Sequence, residues 1–276
     1  MEGEIKKMFE AKIDLGVLRG CIEAITAVAD EGRLRITEDG LKLRSVDPAN
    51  VAMVSFELQS DAFDDFSLEL AGAVETEKEG KGEEGKETSI GMDFVKLLGI
   101  LGIGGRGGEE IELKLDEKGQ KLFTRMGSLA YTISLLASDS LRKDPKVPEL
   151  EFPAQVILEI EDFKRAIRAA EKISENIVLG VDGESEEFFM EAEGEMDKLR
   201  LGLRKEQLIY LTPPAEKVRS LYSLDYLSAM SRGISACHAE QLTLNLGKDY
   251  PLKIDFEVAD GRGKVSYLVA PRIESE

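Results

Sequence analysis

The sequence has no tryptophan, one histidine and two cysteines. Cys21 and Cys237 cannot build a disulfide framework, which fits a reducing, cytoplasmic compartment. A Ser-His-Asp or Cys-His mechanism would have to rest on His238 alone. Long hydrophobic runs are also missing. The longest uncharged apolar-and-glycine stretch, Leu97 to Gly105, falls far short of the roughly 20 residues a membrane span needs. No basic segment followed by an apolar one opens the chain, so neither a secretory signal nor a membrane contact is expected. Positive charge is scarce: 36 Lys and Arg stand against 54 Asp and Glu, a net charge of −18. Taken alone, this argues against nucleic acid, because phosphate contact needs Lys and Arg. Net charge does not describe distribution, however, so the placement of the positive residues decides.

What is present is a chain long enough for two domains, 276 residues of which 42% are hydrophobic. Short alternating strands dominate, with few helices. Met8 to Ile13 reads as a strand. A helix beginning at Asp14 or Gly16 carries Val17, Leu18, Cys21, Ile22, Ile25 and Val28 on one face. Arg33 to Thr37, Leu41 to Val46 and Val51 to Leu58 then alternate as three strands, the first two joined by an Asp39-Gly40 turn. The same order returns in Ala154 to Ile160, the helix Glu161 to Ser174, and the strands Ile177 to Val181, Phe188 to Ala192 and Leu199 to Leu203. The two Asp-Gly turns lie 143 residues apart, about half the chain. Each half holds a second such unit. One has a short helix near Met92 to Leu101 and strands Glu110 to Leu115, Gln120 to Arg125 and Leu129 to Leu135. The other has the helix Tyr226 to Cys237 and strands Gln241 to Leu246, Leu252 to Val258 and Lys264 to Val269. The expected fold class is α+β: two tandem similar domains, residues 8–137 and 153–276, each of two strand-helix-three-strand units. The segment 138–152, with Pro145 and Pro148 and little periodicity, reads as an interdomain linker.

Three motifs suggest chemistry and fail on context. Gly80 to Glu87 comes within one residue of a phosphate loop, but Glu87 stands where Ser or Thr should hold Mg²⁺, and its carboxylates would repel phosphate. It belongs to a Glu-, Lys- and Gly-rich stretch, 75–87, that reads as a solvated loop. Gly102 to Gly107 has dinucleotide-loop spacing, but it follows a helix and opens a strand, the reverse of the required order. His238-Ala239-Glu240 resembles half of a zinc deaminase site and lacks the Pro-Cys-x-x-Cys half. No catalytic constellation, metal site or cofactor is expected. The helix Glu161 to Ser174 is more informative. Phe163, Ala166, Ile167, Ala170 and Ile173 form its apolar stripe. Arg165, Arg168 and Lys172, at i, i+3 and i+7, share another face, with Lys164 nearby. Arg232 and Arg19 add positive charge on other helices.

Met8-Phe9-Glu10-Ala11 and the run Gly40 to Asp47 leading into Asn50-Val51-Ala52-Met53-Val54 resemble the archaeal and eukaryotic DNA sliding clamps (proliferating cell nuclear antigen, PCNA). So do Val147-Pro148-Glu149 and the closing Leu268-Val269-Ala270-Pro271-Arg272-Ile273-Glu274. The resemblance covers Met8 to Glu274. It implies the clamp fold, with helices lining the channel of a homotrimeric ring around duplex DNA. Contacts would be to phosphates without base readout. The family tethers DNA polymerase, clamp loader, flap endonuclease and ligase through short peptides, acts in replication and repair, and is not catalytic. A nucleoid-associated location follows. By resemblance the DNA-facing residues are Arg19, Arg165, Arg168, Lys172 and Arg232. The partner pocket would use Val46, Val51, Met53, Val147, Pro148, Pro251, Leu268, Val269, Ala270 and Pro271. The subunit boundary would join Leu129, Tyr131 and Ile133 of one edge to Leu199, Leu201 and Leu203 of a neighbour. The chain departs from the family in residues 1–7, in the insertion 75–87, in Val46 where many members have Met, and in Leu268 where an aromatic is common. One subunit of a heterotrimeric clamp is an alternative within the family; a nucleotide-dependent enzyme using the 80–87 loop is one outside it.

Overall fold

The computed structural model describes residues 7–69, 87–104, 108–116, 121–137 and 141–273. The near-phosphate loop 80–86, most of the 75–87 insertion and the end of the dinucleotide-like run lie outside these residues.

Four strand-helix-strand units follow one another. The first is β1 (Lys7–Asp14), α1 (Leu15–Thr26), β2 (Glu31–Thr37), β3 (Gly40–Val46) and β4 (Ala52–Gln59), with a short β5 (Asp65–Leu68). The second is β6 (Glu87–Asp93), α2 (Phe94–Leu101), β7 (Glu110–Asp116), β8 (Lys121–Met126) and β9 (Leu129–Ser134). The third is β10 (Ala154–Glu159), α3 (Ile160–Ala170), β11 (Asn176–Asp182), β12 (Glu187–Glu193) and β13 (Lys198–Arg204), with a short β14 (Tyr210–Thr212). The fourth is β15 (Val218–Ser223), α4 (Leu224–Ala236), β16 (Gln241–Leu246), β17 (Leu252–Val258) and β18 (Gly263–Val269). The fold is α+β, as the repeat predicts.

Within each half the opening strands are exchanged. β1 pairs with β7 of the second unit, while β6 pairs with β2 of the first. The second half repeats this: β10 pairs with β16, and β15 with β11. A sheet of order β5-β1-β7-β8-β9 and one of order β13-β12-β11-β15 result. The remaining strands form one nine-stranded sheet, β14-β10-β16-β17-β18-β4-β3-β2-β6. Its centre is the antiparallel β18–β4 pair, where Tyr267 lies opposite Val54 and Leu268 opposite Met53. The two halves therefore share a single sheet.

The helices form a layer in which α1 packs on α2 and α4, and α4 on α3. Asp14 caps α1 by accepting from the Val17 N–H at 2.9 Å, and Asp93 caps α2 from the Lys96 N–H at 2.8 Å. Met92 consequently belongs to β6, not to the helix. α3 ends at Ala170, four residues before the sequence boundary. Lys172 N–H and Ile173 N–H bond back to Ala169 and Ala170 in an i→i−3 turn that closes the helix. Glycine permits the α1–α4 crossing: a Cβ on Gly20 would lie 2.5 Å from the Ala236 carbonyl oxygen, and one on Gly233 would lie 2.8 Å from Ala24 Cα. The buried Tyr267 hydroxyl donates to Ala24 O at 2.8 Å and ties that crossing to the shared sheet.

Candidate functional site

The candidate residues fall in three regions: the helical face, the row of apolar side chains where the halves meet, and the sheet edges.

On the helical face Arg19, Arg165, Arg168, Lys172 and Arg232 are all exposed. A groove of about 610 Å³ between α3 and α4 brings Arg168 and Arg232 together, with Lys164 and the Ser228 and Ser231 side chains in its lining. Among the described residues the buried Ser228 hydroxyl finds no hydrogen-bond partner. Glu23 and Glu171 border the same groove. The positive stripe is partly neutralised at its own helix start. Lys164 pairs with Glu161 and Arg165 with Asp162, each at 2.7 Å, and Arg168 lies 3.9 Å from Glu161. The Lys164 hydrogen bond holds the Glu161 carboxyl below its usual range. Acidic residues are favoured in a helix's first turn, which accounts for their place beside the arginines. Lys172 stands on the closing turn, outside the regular helix. The sequence reading also missed Lys96, which is exposed on α2.

The apolar row follows from strand register. Val46 lies opposite Met53, and Met53 opposite Leu268, so three adjacent strands present these side chains on one face. Val51 and Ala270 continue that face at one end, where the Ala270 N–H donates to Val51 O at 2.9 Å. Val269 is a correction. The period of two turns it to the opposite face, where it is 0% exposed in the core. Val147 and Pro148 are exposed on the linker, while Pro251 and Pro271 are half-buried.

Asp47 organises the loop between β3 and β4. Its Oδ1 accepts from the Val51 and Ala52 N–H groups, both at 2.7 Å, and its Oδ2 from Ala49 at 2.9 Å. The Tyr226 hydroxyl, from α4, also donates to Oδ2 at 2.8 Å. Burial pushes the Asp47 carboxyl up. The Ala52 N–H, the Tyr226 hydroxyl and the Ala49 and Val51 N–H groups outweigh that cost and hold it below its usual range. Burial and this carboxylate push the Tyr226 phenol up. The linker is fastened beside this loop. Asp144 pairs with Arg35 on β2, and the Arg142 guanidinium donates to Asp47 O at 3.5 Å and Pro48 O at 3.4 Å.

Among the described residues β9 and β13 each end a sheet, with one backbone edge unpaired. Leu129 is exposed, and Tyr131, Leu199 and Leu201 are half-buried. Ile133 and Leu203 share the face of Tyr131 and Leu201 by the strand period of two, but they are corrected as contact side chains, because both sit in the chain's own core, 1% and 5% exposed.

Among the described residues no His, Cys, Asp and Glu group could hold a metal ion, and no helix is long and apolar enough to cross a membrane. Hydrogen bonding to Cys237 and burial push the Cys21 thiol well up, so it stays protonated. His238 is exposed just past α4, at φ 54°.

Comparison with known proteins agrees with this geometry. A DNA polymerase sliding clamp of Methanococcoides burtonii is 43% identical over 98% of this chain and all of its own length. Another, from Methanocella arvoryzae, is 45% identical with the same coverage. The crystal structure of A. fulgidus PCNA bound to the C-terminal region of FEN-1 is 32% identical, covers 98% of this chain and 100% of its own, and superposes with a TM-score of 0.84. PCNA from Thermococcus kodakaraensis, 24% identical over 96% of this chain and 100% of its own, shares the fold at a TM-score of 0.80. Residues 8–74 match the proliferating cell nuclear antigen N-terminal domain and residues 146–272 its C-terminal domain, so the chain belongs to the proliferating cell nuclear antigen family.

Proposed function

We propose that this chain is a DNA polymerase sliding clamp that closes into a homotrimeric ring around duplex DNA and tethers replication and repair proteins. The full-length likeness to clamps at 43% identity carries the reading. The two domains would be residues 8–137 and 153–276, joined by 138–152. Arg19, Arg165, Arg168, Lys172 and Arg232 would face the DNA phosphates, and Arg168 and Arg232 share the α3–α4 groove. Such contacts hold the duplex without fixing a sequence, so the ring can slide. β9 of one subunit would pair with β13 of the next, which satisfies two exposed edges and closes a head-to-tail contact. The row Val46–Met53–Leu268, with Val51 and Ala270, would receive the apolar anchors of short partner peptides. The relative solved with a FEN-1 C-terminal region supports flap endonuclease as one such partner; polymerase, clamp loader and ligase are expected at the same row. The ring would perform no chemistry of its own and need no cofactor. Light scattering on the purified chain tests the assembly. A mass about three times 30.4 kDa supports the homotrimer; a monomer that closes only with other subunits would replace it by a heterotrimer.

A further inference from the structure

Next to the apolar row, beneath the linker, lies a cleft of about 380 Å³ that Val46 and Pro48 share with the row's loop. Its lining reverses the acidic balance of the chain as a whole. Arg33, Arg44, Arg142 and Lys143 line it, against the carboxylates of Asp30 and Glu31. Arg44 and Lys143 are exposed and form no ion pair among the described residues. Arg142 is fixed by the backbone carbonyls of Asp47 and Pro48, which orient a guanidinium without cancelling its charge. Asp144, which could have neutralised the cleft, is turned to Arg35 instead. The cleft thus sets four basic side chains against two carboxylates at one end of the apolar row, on a molecule whose net charge is −18.

We propose that this cleft receives acidic side chains flanking the apolar anchors of a docked peptide, so that partners are ranked by flanking charge as well as by their anchors. The inference rests on the docking role given to the row Val46–Met53–Leu268. Its basis is charge complementarity. An acidic segment is repelled by most of this surface and attracted here, which favours one orientation of the peptide. Because Arg44 and Lys143 are solvent-facing, each pairing is weak and screened by salt, and selection comes from several acting together.

The test uses synthetic peptides with the same two aromatic anchors and three Asp, three Ala or three Lys placed on either side of them, titrated by calorimetry at low and high salt. On one side, the Asp peptide is expected to bind about five- to tenfold tighter than the Lys peptide at low salt, with the gap narrowing as salt rises. In the Arg44→Glu, Lys143→Glu variant that ratio should vanish or invert. A ratio of one on both sides, or a ratio unmoved by the double variant, overturns the cleft while leaving the apolar row intact. Failure of all the peptides to bind the wild-type chain overturns the row, and this inference with it.

Discussion

The Tyr226 hydroxyl and the Asp47 carboxylate, 179 positions apart, meet at 2.8 Å and join helix α4 of the second half to the β3–β4 loop of the first. Asp47 also holds three backbone N–H groups, so the shape of the loop beneath Val46 and Val51 depends on it. Tyr226→Phe removes one donor to a charged acceptor and is expected to cost roughly 1.5–3 kcal/mol in urea unfolding. The pH dependence has a definite sign. The folded pKa of Asp47 is depressed, so its stabilisation is complete above its unfolded value, about 3.9, and is lost as pH falls through the folded value. The gap in urea midpoint between wild type and Asp47→Asn should be constant above about pH 5 and close as the solution is acidified below the ordinary carboxylate pKa. A gap that does not change with pH would remove Asp47 from this role.

Gly233 is required by close approach, not by backbone conformation. A Cβ there would meet Ala24 Cα, the Tyr267 hydroxyl and Glu23 O at 2.8, 3.0 and 3.2 Å. Gly233→Ala should therefore push α1 and α4 apart and destabilise the chain by about 1–3 kcal/mol, although alanine is the better helix former. An unchanged or raised melting temperature would show that the crossing is slack.

Tyr131 tests the ring contact. It is half-buried on β9, the strand at one end of its sheet, packed against its own core. Tyr131→Ala should shift the trimer toward monomer by light scattering at micromolar concentration while the monomer stays folded. A trimer of undiminished stability would place the boundary elsewhere.

The basic stripe has its own test. Replacing Arg165, Arg168 and Lys172 together by Ala should lower clamp loading and flatten the salt dependence of DNA association. Each phosphate contact contributes roughly 0.9 to the logarithmic slope on duplex, independent of sequence. Since Arg165 already pairs with Asp162, its share should be the smallest of the three. Equal loading and an equal slope would make the stripe an ordinary solvated face.

The repeat was legible in the sequence because strand alternation and the two Asp-Gly turns are local signals. The Arg165–Arg168 face was legible through helical spacing. The exchange of β1 and β6 between units was not, since antiparallel partners distant in sequence leave no local mark. β15 also escaped: Val218-Arg219-Ser220-Leu221-Tyr222-Ser223 is short and half polar, and the buried Ser220 is tolerated because its hydroxyl donates to Gly247 O and accepts from the Tyr250 N–H. Val269 was placed in the pocket by the family resemblance, whereas strand period puts it on the face opposite Leu268. Ile133 and Leu203 misled in a similar way, because a strand at a sheet edge can still bury one end. The Tyr226–Asp47 bond joins elements far apart in sequence, and only the folded chain shows it.

The proposed ring holds DNA topologically, by closing around it. Its most direct test loads the protein onto nicked circular DNA, washes at high salt, and then linearises the DNA with a restriction enzyme. The ring predicts retention on the circle through the wash, since screening weakens phosphate contacts but cannot open a closed ring, and release once ends are created. Protein that washes from the circle as readily as from linear DNA, or that stays after linearisation, would contradict encirclement.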